Sequence, residues 1–299
     1  MKEFLDFLNI LQCEYLSDVS LAEYTTFRAG GNCAVMAFPD TESKIADILK
    51  YVLENDIRYY IIGKGSNMLF SDEGFDGVII NTVKLDYIEL TDENIVNCAC
   101  GTPLIKLCRF ALENSLSGLE FAYGIPGSVG GAVYMNAGAY GGEIKDVISE
   151  CRYIDSNGII RVMRGDDMKM SYRKSIFSSS DDMLILSASF KLIKSEDDRI
   201  KEKMNELMAR RKEKQPLEYP SAGSTFKRPE GYYAGALIEE CGLKGYCHKG
   251  AMVSDKHAGF IINKDNASAS DIIHLIKYCQ QKVYEKKGVM LETEVKIIE

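Results

Sequence analysis

Residues 124–142, GIPGSVGGAVYMNAGAYGG, place seven glycines in nineteen positions. No regular helix or central strand is built that way. Glycine loses more conformational freedom on folding than any other residue, so this density asks for close backbone approach or a bound ligand in return. A shorter segment, Gly63-Lys64-Gly65-Ser66-Asn67, repeats the theme after the β-forming run Arg58–Ile62. Glycines let consecutive N–H groups converge on an anion, so both segments are candidate phosphate cradles. Neither fits the common nucleotide templates. The chain has no Gly-x4-Gly-Lys-Ser/Thr loop. Met68 stands where a dinucleotide fingerprint starting at Gly63 needs its third small residue. Gly-Ser-Asn is also ordinary turn chemistry, so a plain tight turn at residues 63–67 stays open.

Hydrophobic spacing organises the rest. Ile45, Ile48, Leu49, Val52 and Leu53 follow Asp40-Thr41 at helical spacing with a capping residue in front. Strands are predicted at residues 58–62 and 77–82, which with that helix make an α/β unit. Farther on, a strand is predicted at 94–99, then a helix carrying Leu104, Leu107, Cys108, Ala111 and Leu112, with Thr102 as cap and Pro103 as its first residue. Leu184, Leu186, Ala188, Phe190 and Leu192 alternate as in a half-buried strand. A charged helix ends before Pro216, and helices are predicted at 232–241 and 270–287, the latter capped by Ser270 and stopped at Gly288. A final strand spans 289–298, with Glu292, Glu294 and Lys296 on one face. The fold class is therefore α+β built of α/β subdomains, divided at 1–83, 84–194 and 195–299.

A chain of 299 residues allows about two domains. The formal charge of −8 argues against a nucleic-acid partner, but not against a local basic pocket. No apolar run is long enough to span a membrane. Met1-Lys2-Glu3-Phe4-Leu5-Asp6 has acidic residues where a signal peptide keeps an apolar run, so a cytoplasmic protein without a membrane partner is expected. Nine cysteines without regular spacing fit reduced thiols. Cys98-x-Cys100 and Cys241 with Cys247-His248 lack a second ligand pair at zinc spacing, so no metal is expected.

Seven blocks carry a family resemblance, in order along nearly the whole chain. They are Thr26-Phe27-Arg28-Ala29-Gly30-Gly31, Ile62 to Leu69 (IGKGSNML), Gly124 to Gly131 (GIPGSVGG), Asn136 to Gly141 (NAGAYG), Ser171 to Phe177 (SYRKSIF), Pro220 to Lys227 (PSAGSTFK) and Leu291 to Val295 (LETEV). Together they resemble the UDP-N-acetylenolpyruvoylglucosamine reductases. The first two also look like the wider flavoprotein superfamily of vanillyl-alcohol oxidase and p-cresol methylhydroxylase. The resemblance implies a two-part FAD-binding domain and a smaller C-terminal α+β substrate domain. It implies that NADPH reduces FAD, and that an enolpyruvyl group on a UDP-sugar is then reduced to UDP-N-acetylmuramate for peptidoglycan. A monomer or weak oligomer is expected.

Carried over residue by residue, the resemblance makes Ser224 the proton donor and puts Arg173 and Glu294 beside the substrate carboxylate. It assigns Gly63, Lys64, Gly65, Ser66, Asn67, Gly124, Ile125, Pro126, Gly127, Gly130, Gly131, Asn136 and Gly138 to the cofactor. Lys214, Tyr140, Arg228 and His257 fall at substrate-side positions. Without the resemblance, Ser224 reads as a loop serine, Arg173 as a surface ion pair and Glu294 as half of a solvated face with Glu292. His257 equally suits a structural hydrogen-bonding role. Arg228 replaces the Asn of longer relatives, and the spacings from Arg173 to Ser224 and from Ser224 to Glu294 leave no room for their tyrosine-bearing loop. The chain thus resembles the shorter subclass. Two other readings compete: an FAD oxidoreductase of the same superfamily acting on an alcohol or phenol, and a flavin- or UDP-sugar-binding regulator without turnover.

Overall fold

A computed structural model describes residues 1–180 and 183–299. The chain falls into two compact units that interleave along the sequence. One comprises Met1–Ser17, Val35–Lys64 and Gly77–Arg210; the other comprises Asp18–Ala34, Gly65–Asp76 and Arg211–Glu299. This division differs from successive stretches cut after residues 83 and 194.

The first unit holds most of a four-stranded sheet ordered Glu14–Ser20, Asn32–Phe38, Phe75–Asn81, Tyr59–Ile62. The last two strands are parallel, pairing Tyr59 with Val78 through Ile62 with Asn81. The helix Glu42–Glu54 buries Ile45, Ile48, Leu49 and Val52, and Thr41 Oγ1 caps it by accepting from the Lys44 N–H at 3.2 Å. Leu53, expected on that apolar face, is exposed.

A second, antiparallel sheet in the same unit runs Ile160–Arg164, Ile148–Ile154, Leu184–Lys191, Ile95–Ala99, Ile88–Asp92. Leu184–Lys191 is the central strand, and its first seven residues are all buried rather than alternating. Ser187 and Ser189 supply the apparent polar alternation but sit inside, where Ser189 Oγ accepts from Asn97 Nδ2 at 3.0 Å. The helix Leu104–Glu113 starts one residue later than expected, with Pro103 at its N-cap position. Thr102 is not its cap. That hydroxyl is wholly buried and donates to Asp86 and the Tyr87 carbonyl.

The second unit joins a three-stranded sheet, Cys247–His248, Ala251–Val253 and Ile261–Asn263, with the helices Ala234–Glu240 and Ala269–Lys287. Ser268, not Ser270, caps the long helix, forming a capping box with Asp271. Asp72 accepts from the N–H groups of Ala269 and Ser270 at 2.7 and 2.8 Å. The final strand is only Lys296–Ile298 and pairs in parallel with Met68–Phe70. Leu291, Val295 and Ile298 are buried, while Glu294, Lys296 and Ile297 are half-buried. No helix among the described residues is long and apolar enough to cross a membrane.

Candidate active site

In the first unit the two glycine-rich segments meet. Gly63 follows the carboxyl end of Tyr59–Ile62, and a Cβ there would lie 2.2 Å from Ser128 Oγ. Ser128 is buried and caps the short helix Val129–Tyr134, accepting from the Gly131 N–H at 3.4 Å. Gly124 and Gly127 take φ of +92° and +152°, in or near backbone space that only glycine enters readily. Gly130 donates its N–H to the Cys100 carbonyl at 2.7 Å and leaves no room for a side chain against Cys100. Ile125 is half-buried and Pro126 exposed. Residues 124–131 are thus held beside the carboxyl end of a parallel strand pair, the position where α/β sheets bind nucleotides. Gly63 and the exposed Lys64 and Gly131 suit a diphosphate there, so the residues present fit FAD.

Arg173 is presented by a tight turn in the same unit. Ser171 and Lys174 exchange backbone hydrogen bonds, and Arg173 sits between them at φ +54°. A non-glycine residue in left-handed space signals a conformation imposed by its surroundings. Asn136 imposes part of it. Its side-chain nitrogen donates to the Ser171 carbonyl at 2.9 Å and to Glu143 at 2.5 Å, while its oxygen accepts from the Lys145 N–H. Asn136 is fully buried, so its amide serves the turn that carries Arg173. The half-buried guanidinium also donates to the Gly138 carbonyl at 3.2 Å. Tyr140 and Gly141 form the two-residue loop of a hairpin, both at positive φ as in a type I′ turn. Arg210 lies over the Tyr140 ring, 5.2 Å from its centre.

In the second unit, Ser224 and Glu294 lie on paired segments. Phe226 bridges Thr293 in antiparallel sense; Lys227 donates its N–H to the Glu292 carbonyl and Glu294 donates to Thr225 at 2.8 Å. Ser224 is exposed at the edge of this pairing, and Glu294 is half-buried. The two glutamates thereby separate: Glu292 is exposed and forms an ion pair with Lys227. Thr225, a motif residue with no assigned chemical role, anchors the segment. It is wholly buried, its hydroxyl accepts from the Ile261 N–H and its own N–H donates to the Gly259 carbonyl. Its only sequence signal was its place beside Ser224.

Gly65 in this unit has φ +59°, and a Cβ there would meet the Tyr24 carbonyl at 2.0 Å. That contact accounts for the glycine. Ser66 is half-buried. Asn67 donates its side-chain amide to the Glu294 carbonyl at 3.0 Å. His257 accepts the Gly259 N–H on Nδ1 at 3.1 Å, and burial lowers its pKa from the ordinary value. Arg228 is exposed and lies 4.4 Å from the centre of the Tyr233 ring; Lys214 is exposed at the end of the helix Asp197–Lys214.

Eight of the nine cysteines are buried. Burial pushes the Cys98 and Cys100 thiols up to about 12. No group of three or more metal-ligating side chains forms among the described residues.

Comparison with known proteins gives one consistent answer. A model of the UDP-N-acetylenolpyruvoylglucosamine reductase C-terminal domain matches residues 215–298. A model of an FAD-binding domain matches residues 33–164. The chain is 48% identical over 293 residues to a UDP-N-acetylenolpyruvoylglucosamine reductase of Caldicellulosiruptor saccharolyticus, covering 97% of this chain and 94% of that one. It is 48% identical over 283 residues to one from Clostridium botulinum, covering 95% and 92%. A crystal structure of the Thermus caldophilus enzyme matches with a TM-score of 0.82 at 32% identity, over 96% of this chain and 99% of that one. A glucose dehydrogenase, Phl p 4, matches with a TM-score of 0.52 at 15% identity over 65% of this chain and 44% of its own, which speaks to fold alone. With near-complete coverage at these identities, the chain belongs to the UDP-N-acetylenolpyruvoylglucosamine reductase family.

Proposed function

We propose that this protein reduces the enolpyruvyl group of UDP-N-acetylglucosamine enolpyruvate to UDP-N-acetylmuramate, with NADPH as electron source and FAD as cofactor, in the supply of peptidoglycan precursors. FAD, when bound, supplies a centre that accepts a hydride from NADPH and delivers one to the terminal carbon of the enolpyruvyl double bond. Delivery there drives the electron pair into the carboxylate, and the adjacent carbon must then be protonated. The chain's own groups serve that second half. Ser224 Oγ donates the proton; Arg173 and Glu294 stabilise the charge that builds on the carboxylate. A serine hydroxyl is a weak acid, so it works only because the carbon is strongly basic and the donor is fixed in place.

Residues 1–83 and 84–194 serve the flavin, through Gly63, Lys64, Gly65 and Ser66 and through Gly124, Ile125, Pro126, Gly127, Gly130, Gly131 and Gly138. Residues 195–299 carry the substrate-side groups Lys214, Arg228 and His257, and Tyr140 is a further substrate-side residue. The protein works in the cytoplasm as a monomer or weak oligomer, with no nucleic-acid or membrane partner. As a member of the shorter subclass it has Arg228 in place of the usual Asn.

The observation that carries the reading is the bridge between Thr225 and Glu294, which seats the segments of Ser224 and Glu294 side by side. Purified protein, NADPH and the UDP-sugar provide the test. NADPH loss that depends on the sugar is the expected result. Rapid reoxidation by oxygen alone, with no effect of the sugar, would overturn it in favour of an oxidase.

A further inference from the structure

The peptide group of Glu294 is held from both sides. Its N–H donates to the Thr225 carbonyl at 2.8 Å, next to Ser224. Its carbonyl accepts from Asn67 Nδ2 at 3.0 Å. The parallel pairing of Lys296–Ile298 with Met68–Phe70 explains why a side chain is needed for this. Lys296 donates its N–H to the Asn67 carbonyl at 3.0 Å, the last backbone bond of that ladder toward Glu294. One step beyond, the Asn67 amide takes the place of a strand donor and extends the ladder to Glu294. A half-buried asparagine that accepts on its backbone and donates from its side chain thus grips both ends of Glu294-Val295-Lys296.

We propose that the Asn67 side chain is a positioning residue for Glu294, acting on the substrate half of the reaction rather than on cofactor retention. The inference rests on the role proposed above for Glu294. Asn67 aims the glutamate by fixing its carbonyl, as Thr225 fixes its N–H. A misplacement of about 1 Å at a site of this kind costs up to about 100-fold in rate.

Three single variants of the FAD-loaded full chain and one double variant test this: Asn67→Asp, which keeps the shape but lacks the donor, Asn67→Ala, Glu294→Ala, and the last two combined. Flavin content and flavin reduction by NADPH are measured separately from reoxidation by the UDP-sugar under anaerobic conditions. Both Asn67 variants are expected to hold FAD and to be reduced within about threefold of wild type, but to be reoxidised about 10- to 100-fold more slowly. Asn67→Ala combined with Glu294→Ala is expected to be no slower than Glu294→Ala alone, since Asn67 acts through that residue. Amide hydrogen exchange without ligand is expected to rise at residues 293–296 in Asn67→Ala.

Loss of FAD with a normal substrate step once FAD is resupplied, a wild-type reoxidation rate in Asn67→Asp, or additive effects in the double variant would each overturn the proposal. If Glu294→Ala is reoxidised normally, the Glu294 role falls and this inference with it. If Glu294→Ala is slow while both Asn67 variants are normal, only the Asn67 inference falls.

Discussion

Glu294 and Thr225 share a 2.8 Å main-chain hydrogen bond, although 68 positions lie between them in the sequence. Thr225 is wholly buried and tied at its hydroxyl, its N–H and its carbonyl, whereas Ser224 beside it is exposed. A rigid residue next to an accessible hydroxyl is the arrangement a positioned proton donor needs.

Removing that hydroxyl should split the reaction. Ser224→Ala is expected to keep flavin reduction by NADPH and to slow reoxidation by the UDP-sugar by about 100- to 10,000-fold. Stopped-flow measurement of the two steps checks it, and equal loss in both would remove the proton-donor role.

Gly65 and Gly141 both have positive φ, but only Gly65 faces an obstacle, since a Cβ there would lie 2.0 Å from the Tyr24 carbonyl; nothing lies within 4 Å of where one would sit at Gly141. Gly65→Ala should therefore destabilise by about 3 kcal/mol or more, combining strain with collision. Gly141→Ala should cost about 1–2 kcal/mol, from left-handed backbone alone. Urea denaturation midpoints of the two variants give the comparison.

Asn136 satisfies two acceptors and one donor from a fully buried position. In Asn136→Asp the donor is lost and a carboxylate faces Glu143 and the Ser171 carbonyl. A loss of about 3–5 kcal/mol at neutral pH is expected, as for other uncompensated buried charges. Partial recovery on acidification, followed by the denaturation midpoint, distinguishes charge repulsion from simple loss of packing.

His257 is held neutral chiefly by burial, so its folded pKa lies below the ordinary 6.5. The unfolded chain then binds the extra proton first. The stability this group contributes is full above the unfolded value and is lost as pH falls through the folded one. Nearby Lys244 favours the neutral ring and Glu239 opposes it, while Asp255 and Lys256 flank it in sequence. Substituting His257→Asn, which can still accept the Gly259 N–H, should flatten the fall in melting temperature between about pH 7 and pH 5. An unchanged slope would assign that pH dependence to other groups.

Much of this fold was legible as periodicity. The helix capped by Thr41 and the helix ending at Gly288 follow directly from spacing and end residues. The central strand Leu184–Lys191 misled because serine is small enough to be buried, as Ser187 is and as Ser189 is beside the Asn97 amide, so polarity overstated its exposure. Thr102 and Ser270 misled as caps for a related reason. A hydroxyl ahead of a helix can bond elsewhere, as Thr102 does to Asp86, and the cap two residues earlier at Ser268 has the reciprocal partner. In the candidate site, the motifs named residues but not their duties. Asn67 and Asn136 sit in glycine-rich segments, yet each spends its amide on a neighbouring backbone carbonyl. No sequence spacing predicts that, because the partners lie 227 and 35 residues away.

The pairing of Met68–Phe70 with Lys296–Ile298 also sets an order of events during synthesis. The first unit has all its segments once Arg210 has emerged from the ribosome, whereas the second still waits for its last strand. Until then Met68–Phe70, with Leu69 and Phe70 destined for complete burial, is a strand without its neighbour. The nascent chain must therefore carry an unpaired apolar edge through most of translation, which leaves this short strand open to aggregation and to chaperone capture.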